Sequence, residues 1–176
     1  ITGGPGVGKT TLLKELKARG YKCIHEAARG IIKEQMEMGG DALPWKDTRK
    51  YSDLMLSHSI DDFEKILDIE ETVFFDRGIP DTYGYERLIG LEISHKLTNA
   101  VNEDRYNPLV FMLPPWKEIY ENDSERKQNF EEAIATFEMM KTIYSELGYL
   151  LTEVPLLPVD ERCDFVLEQI KNQQST

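Results

Sequence analysis

Gly3-Gly4-Pro5-Gly6-Val7-Gly8-Lys9-Thr10 decides how the rest of this chain is read. It fits G-x-x-x-x-G-K-[ST], a pattern in which each position has a physical task. Glycines let backbone N–H groups turn inward around phosphate oxygens with no Cβ in the way. A helix that begins at the loop aims the positive end of its dipole at the same oxygens. The predicted nucleotide-binding residues are therefore Gly4, Pro5, Gly6, Val7, Gly8, Lys9, Thr10 and Thr11. Lys9 is expected to reach the β- and γ-phosphates, and the Thr10 hydroxyl to ligate Mg²⁺. The implied ligand is a nucleoside triphosphate with Mg²⁺. No N-K-x-D guanine-reading motif is present, which leans toward ATP.

The surroundings of the loop agree. Ile1-Thr2 reads as the tail of a strand, whose start is expected to lie upstream. After the loop, Leu12, Leu13 and Leu16 share one face of a helix that runs to about Arg19 and stops at Gly20. Farther out, short apolar runs alternate with helical patterns. Strands are predicted at Tyr21–His25, Thr72–Phe75, Leu109–Leu113 and Tyr149–Val154. Helices are predicted at Glu26–Met38, Asp47–Asp68, Asp81–Ile89, Ile93–Val101, Glu125–Leu147 and Val159–Ile170. The stripe of the long helix after Asp47 is Tyr51, Leu54, Met55, Ile60, Phe63 and Leu67. Thr72-Val73-Phe74-Phe75 has no polar alternation and reads as a central strand buried on both faces. This alternation predicts one α/β domain of three layers around a mostly parallel, five-stranded sheet.

Composition sets outer limits. The chain has 176 residues, with 21 Lys plus Arg against 32 Asp plus Glu, a net charge of −11. Such a balance argues against coating nucleic acid or an anionic membrane, either of which needs a basic face. Cys23 and Cys163 are too few for a disulfide framework and fit reduced thiols in a cytoplasmic setting. No apolar run approaches the length of a membrane helix.

Further site candidates lie at the C-terminal ends of the predicted strands, where open α/β sheets bind ligands. Asp76, at the tip of Thr72–Phe75, is the candidate second Mg²⁺ residue; the competing reading is a turn or cap aspartate. Arg77 beside it is a candidate contact for a substrate anion; the alternative is a simple pair with a surface carboxylate. Glu26 and Arg29 follow the second strand, three apart and on one side of a helix start. Glu26 is the candidate acceptor base and Arg29 a substrate clamp; the alternative is a helix-start acid with an ordinary ion pair. Asp81 is either a substrate contact or part of a helix opening at Pro80. Trp45 and Tyr83 can stack on a ring or simply pack. The segment from Pro114 to about 128 turns strongly polar and reads as a lid. Arg126 on it is the candidate that neutralises the transferring phosphoryl group, with Lys127 second; the alternative is a solvated helix start capped by Asp123 or Ser124. The three histidines have no metal-ligand spacing.

With these residues in place, the chain resembles P-loop kinase-like proteins. In particular it is similar to predicted ATPase/kinase domains related to the nicotinamide-ribonucleotide kinase half of the bacterial NAD regulator, domains that often carry the name AAA-type ATPase. The matching pieces are Thr2–Thr11, His25–Gly30, Phe74–Asp81, Leu113–Lys117, Asn122–Arg126 and Val154–Arg162, which together span nearly the whole chain. The resemblance implies a five-stranded parallel sheet like that of nucleoside and nucleotide kinases. It also implies an Asp76-Arg77 pair on the Mg²⁺ and acceptor side. It supplies no acceptor. The expected activity is transfer of the γ-phosphoryl of ATP to a nucleoside-, riboside- or nucleotide-like small molecule; the alternative is a regulatory NTPase that acts on a protein partner. Oligomeric state is not readable from the sequence.

Overall fold

The structure is a computed structural model that describes residues 1–120 and 130–174. Its layers are built on β4 (Leu109–Leu113), whose side chains alternate between two cores as the strand period of two requires. Phe111 and Leu113 face one core, with Leu12, Leu13 and Leu16 of α1 (Lys9–Ala18) and Cys163 and Val166 of α7 (Val159–Gln174). Val110 and Met112 face the other, against Phe137, Met140 and Tyr144 of α6 (Phe130–Glu146). A third cluster joins Leu56 of α3 (Thr48–Glu64), Ile79 of α4 (Ile79–Leu88), and Leu97, Ala100 and Val101 of α5 (His95–Glu103). The result is a three-layer α/β arrangement, as the sequence predicts. Each of the three α1 leucines is fully buried, which is worth about 2–3 kcal/mol apiece.

All strand pairs are parallel. β1 (Thr2–Gly3), β4 and β5 (Leu150–Glu153) form one sheet in the order β1-β4-β5. β2 (Lys22–Ile24) and β3 (Val73–Phe75) form a second. The expectation of one five-stranded sheet is therefore corrected: the five strands divide three and two. β1 spends both of its residues on β4, and only Ile1 reaches β3. The Ile1 nitrogen donates to the Phe75 carbonyl at 3.0 Å, and the Arg77 N–H donates to the Ile1 carbonyl at 2.8 Å. One such pair aligns the sheets edge to edge but is too little for a ladder. It also fixes the tip of β3 beside the start of the glycine loop.

Several boundaries move for local reasons. α2 (Ala28–Met38) starts after Glu26, because His25 and Glu26 lie in the connection that follows β2. α3 is capped by Asp47, whose carboxylate accepts from the Lys50 N–H at 3.0 Å, and it ends at Glu64. Beyond that the chain tightens through i→i+3 bonds, Ile66 N–H to Phe63 O and Leu67 N–H to Glu64 O. Leu67 is thereby exposed, and the buried face of α3 carries Tyr51, Ser52, Leu56 and Phe63 rather than the full predicted stripe.

Ser52 is buried for a reason. Its hydroxyl donates to Glu86 Oε1 on α4 at 2.6 Å, and the Arg49 guanidinium pairs with the same oxygen at 2.8 Å. Glu86 is 1% exposed, so these two donors from α3 hold a carboxylate inside the interface. Glu86→Ala is expected to lower stability by about 1–3 kcal/mol, since it strands the buried Ser52 hydroxyl and removes the carboxylate that Arg49 pairs with. Urea unfolding measures this; a loss below about 0.5 kcal/mol would mean the network is not structural.

Candidate functional site

The glycine loop closes at Gly8, whose φ of 83° lies in the left-handed region that an N-capping glycine adopts at no steric cost. At Gly4 the loop is also packed too closely for a side chain. A Cβ on Gly4 would lie 2.6 Å from the Ala133 carbonyl oxygen of α6. α1 then begins at Lys9, with no acidic residue in its first turn to offset the helix dipole. Lys9 is 5% exposed, and its ammonium donates to the Gly4 carbonyl at 2.9 Å and the Gly3 carbonyl at 3.4 Å. Pro5 and Val7 are buried, whereas Thr10 and Thr11 are exposed at the helix start.

Asp76 follows β3 immediately and is buried. Its Oδ1 has no hydrogen-bond partner among the described residues. Burial pushes the carboxyl above its usual pKa, and Glu26 adds to that, while Lys9 and Arg77 pull the other way. A buried, unpartnered carboxylate oxygen that feels the loop lysine suits a cation ligand. Thr10 and Asp76 are hard oxygen donors of the kind Mg²⁺ takes, and phosphate oxygens and water would complete the coordination shell. Among the described residues no cluster of three His, Cys, Asp or Glu forms a metal site unaided.

Arg77 has φ 69°, the left-handed region that a non-glycine residue seldom adopts. This backbone turn accompanies a bridging side chain. Arg77 Nε donates to Glu26 Oε1 at 2.9 Å, and a terminal nitrogen donates to Asp81 Oδ1 at 3.0 Å. Burial works against its charge, but Glu26, Asp81 and Asp76 outweigh burial and hold the guanidinium protonated. Three residues predicted as separate substrate contacts are thus one ion-paired unit. Arg29 lies on the exposed side of α2 and lines the same cavity as Glu26 and Arg77.

Asp81 resolves into more than a helix opening. It is 5% exposed, and its carboxylate accepts from the Gly78 N–H at 3.0 Å, from Arg77, from the Thr2 hydroxyl, and from the Tyr144 hydroxyl at 2.6 Å. These four donors come from β1, the loop before α4, and α6, so Asp81 fixes how the strand ends meet. Thr2 and Tyr144 were not site candidates. Tyr144 lies in the apolar stripe of α6, where nothing in the spacing marks its hydroxyl.

Trp45 and Tyr83 part company. Trp45 lines the large cavity and is exposed, while Tyr83 packs against the α3–α4–α5 cluster. Of the predicted lid, residues 114–120 are described. Ile119 and Tyr120 pack against the loop: a Cβ on Gly6 would meet the Tyr120 ring at 2.7 Å, and one on Gly8 would meet Ile119 at 3.3 Å. Arg126 and Lys127 lie outside the described residues. A further cation, Arg162, escaped the sequence candidates except as the end of a motif. It is 5% exposed, its NH1 donates to the Val7 carbonyl at 3.4 Å, and its guanidinium sits 5.4 Å from the Trp116 ring centre.

Beside the loop opens a cavity of about 1190 Å³. Pro5, Glu26, Asp76, Arg77 and Asp81 line it beside the loop, together with residues of α2, α3 and α4. No helix among the described residues is long and apolar enough to cross a membrane.

Comparison with known proteins fits this geometry. The AAA_28 family, described as an AAA domain, matches residues 1–162. No curated protein matches the chain. A match over that span, containing the glycine loop, Lys9, the Asp76-Arg77 tip and the strands that carry them, places this chain in the AAA_28 family as a P-loop, AAA-type NTPase-like domain.

Proposed function

We propose that this domain is a small-molecule kinase that transfers the γ-phosphoryl group of ATP, bound with Mg²⁺, to an acceptor hydroxyl. The observation that carries the reading is the cavity. A nucleotide switch needs its loop and its metal residues, but not a second large cavity lined by Glu26, Arg77 and Asp76 beside that loop. The resemblance to kinase-like P-loop domains points the same way.

In this reading the backbone N–H groups of Gly4 and of Gly6–Thr11 and the Lys9 ammonium hold the triphosphate. Thr10 and Asp76 hold Mg²⁺, which neutralises charge on the phosphates when bound. The acceptor oxygen attacks the γ-phosphorus, the bond from that phosphorus to the bridging oxygen breaks, and ADP departs. The hydroxyl proton passes to the Glu26 carboxylate. Arg77 aims Glu26 through their ion pair and presents positive charge to the acceptor side, and Asp81 fixes Arg77 in turn. Arg29, at the cavity wall, is an acceptor contact. Arg126 retains the γ-phosphoryl role on sequence grounds.

ADP release measured over a panel of hydroxyl acceptors tests this. Release that depends on an acceptor is expected. Release at one slow rate whatever the acceptor, but raised by a protein partner, would instead indicate the regulatory NTPase. Glu26→Gln is expected to lower kcat by about 100-fold while ATP affinity changes less than about threefold, because proton acceptance fails and the loop is untouched. Equal losses in binding and turnover would remove Glu26 from the base role.

A further inference from the structure

The walls of the acceptor chamber are not those of a riboside site. Its volume of about 1190 Å³ lies above the range of roughly 300–1,000 Å³ common for drug-sized ligands. Glu26, Asp76 and Arg77 line it beside the glycine loop. Along α2, α3 and α4 the lining mixes the apolar Ile32, Met36, Met55 and Tyr85, with Trp45 and Ile89 next to them, and the polar Arg29, Lys33, Glu37, Ser59 and Asp62. The charged residues of the outer rim pair with neighbours along the surface, Lys33 with Glu37 at 3.9 Å and Asp62 with Lys65 at 2.9 Å.

The rim carries a second sign. Large apolar side chains are left in water here: Met36 is 64% exposed, Trp45 62%, and Ile89 and Leu88 are also exposed. All four line this chamber, coming from three separate segments of the chain. Exposed apolar groups that converge on one concavity mark a surface meant to be covered. Methionines among them suit a body of variable shape, since the unbranched thioether repacks at little cost.

Building on the kinase reading, we propose that the acceptor is an amphipathic alcohol, whose hydroxyl sits at Glu26 and Arg77 while an aryl or prenyl-like body larger than a nucleoside lies along α2, α3 and α4. Glu26 and Arg77 lie beside the loop, so the hydroxyl is the part presented to ATP. The apolar remainder covers Met36, Trp45 and Met55, which sugar hydroxyls would leave wet.

Trp45 reports on this directly. In a Trp116→Phe background Trp45 is the sole indole, so its emission can be followed while the chain is titrated with 2-naphthylethanol, farnesol or adenosine, each in parallel with an ATP phosphoryl-transfer assay. Saturable blue shifts are expected with the first two, at affinities at least about tenfold better than for adenosine. Met55→Glu and the exposed-site variant Met36→Glu are each expected to weaken them by about tenfold or more. Stronger response to the naphthyl or the prenyl alcohol identifies which body the chamber prefers. Transfer to adenosine with no Trp45 response to either alcohol overturns the amphipathic acceptor and leaves the kinase reading standing. Saturable alcohol binding with no transfer to any acceptor overturns the kinase reading instead. A Trp45 shift that follows protein concentration and ignores the alcohols would show that a second copy covers the rim, and also overturns the proposal.

Discussion

Lys9→Ala is expected to weaken ATP binding by about 10- to 150-fold, the worth of one charge-assisted contact, and to reduce phosphoryl transfer by roughly a further 100-fold. The two losses differ because the ammonium is needed most as charge shifts onto the oxygens of the transferring group. A third consequence comes from the unliganded fold. Lys9 is buried, bonded to the Gly3 and Gly4 carbonyls, and it lowers the pKa of Asp76 against the effect of burial. Without it the Asp76 carboxyl rises further. An acid with a folded pKa above its unfolded value binds more protons when folded, so its penalty exists above that pKa and fades as pH falls through it. The variant should therefore be less stable than the parent at neutral pH, and the gap should narrow on acidification. Calorimetric titration with a non-hydrolysable ATP analogue and urea unfolding at several pH values measure both. Undiminished nucleotide affinity would remove Lys9, and with it the loop, from the site.

Asp76→Asn is expected to separate stability from activity. The carboxylate is desolvated, raised in pKa, and has an oxygen with no described hydrogen-bond partner, so at neutral pH its charge is a burden on the unliganded fold. Asparagine keeps the shape and removes the charge. Thermal unfolding without nucleotide should give an unchanged or higher Tm, with the advantage over the parent shrinking as pH falls. Mg²⁺-dependent transfer should fall by about 100-fold or more, since a cation ligand is gone. Sites retained for function often carry this signature, a local cost that a neutral substitution relieves. A variant that is destabilised yet fully active would assign Asp76 to the structural turn that the sequence left open.

Much of the site lies where the sequence suggests because its signals are local. The glycine loop, the leucines of α1 and the aspartate that ends an apolar run all depend on neighbours a few residues away. Other features depend on partners far along the chain. Arg77 and Glu26 are fifty-one residues apart, and Thr2, Arg77 and Tyr144 converge on Asp81 from three elements. No periodicity encodes those meetings. Leu67 shows the converse: it sits in a predicted stripe and is exposed, beyond a helix that ends early.

The sequence by itself determined the phosphate loop, the strand–helix alternation and the acidic tip of β3, because short-range backbone chemistry and apolar spacing suffice for each. Tertiary structure alone decided that the strands divide three and two, that Glu26, Arg77 and Asp81 act as one ion-paired unit, and that an apolar chamber opens beside the loop. Those outcomes follow from which faces pack together once the chain is closed. A net charge of −11 describes the whole surface; the buried Lys9, bonded to the Gly3 and Gly4 carbonyls, and Arg77, held between the Glu26 and Asp81 carboxylates, show how an acidic chain still builds a local site for an anion.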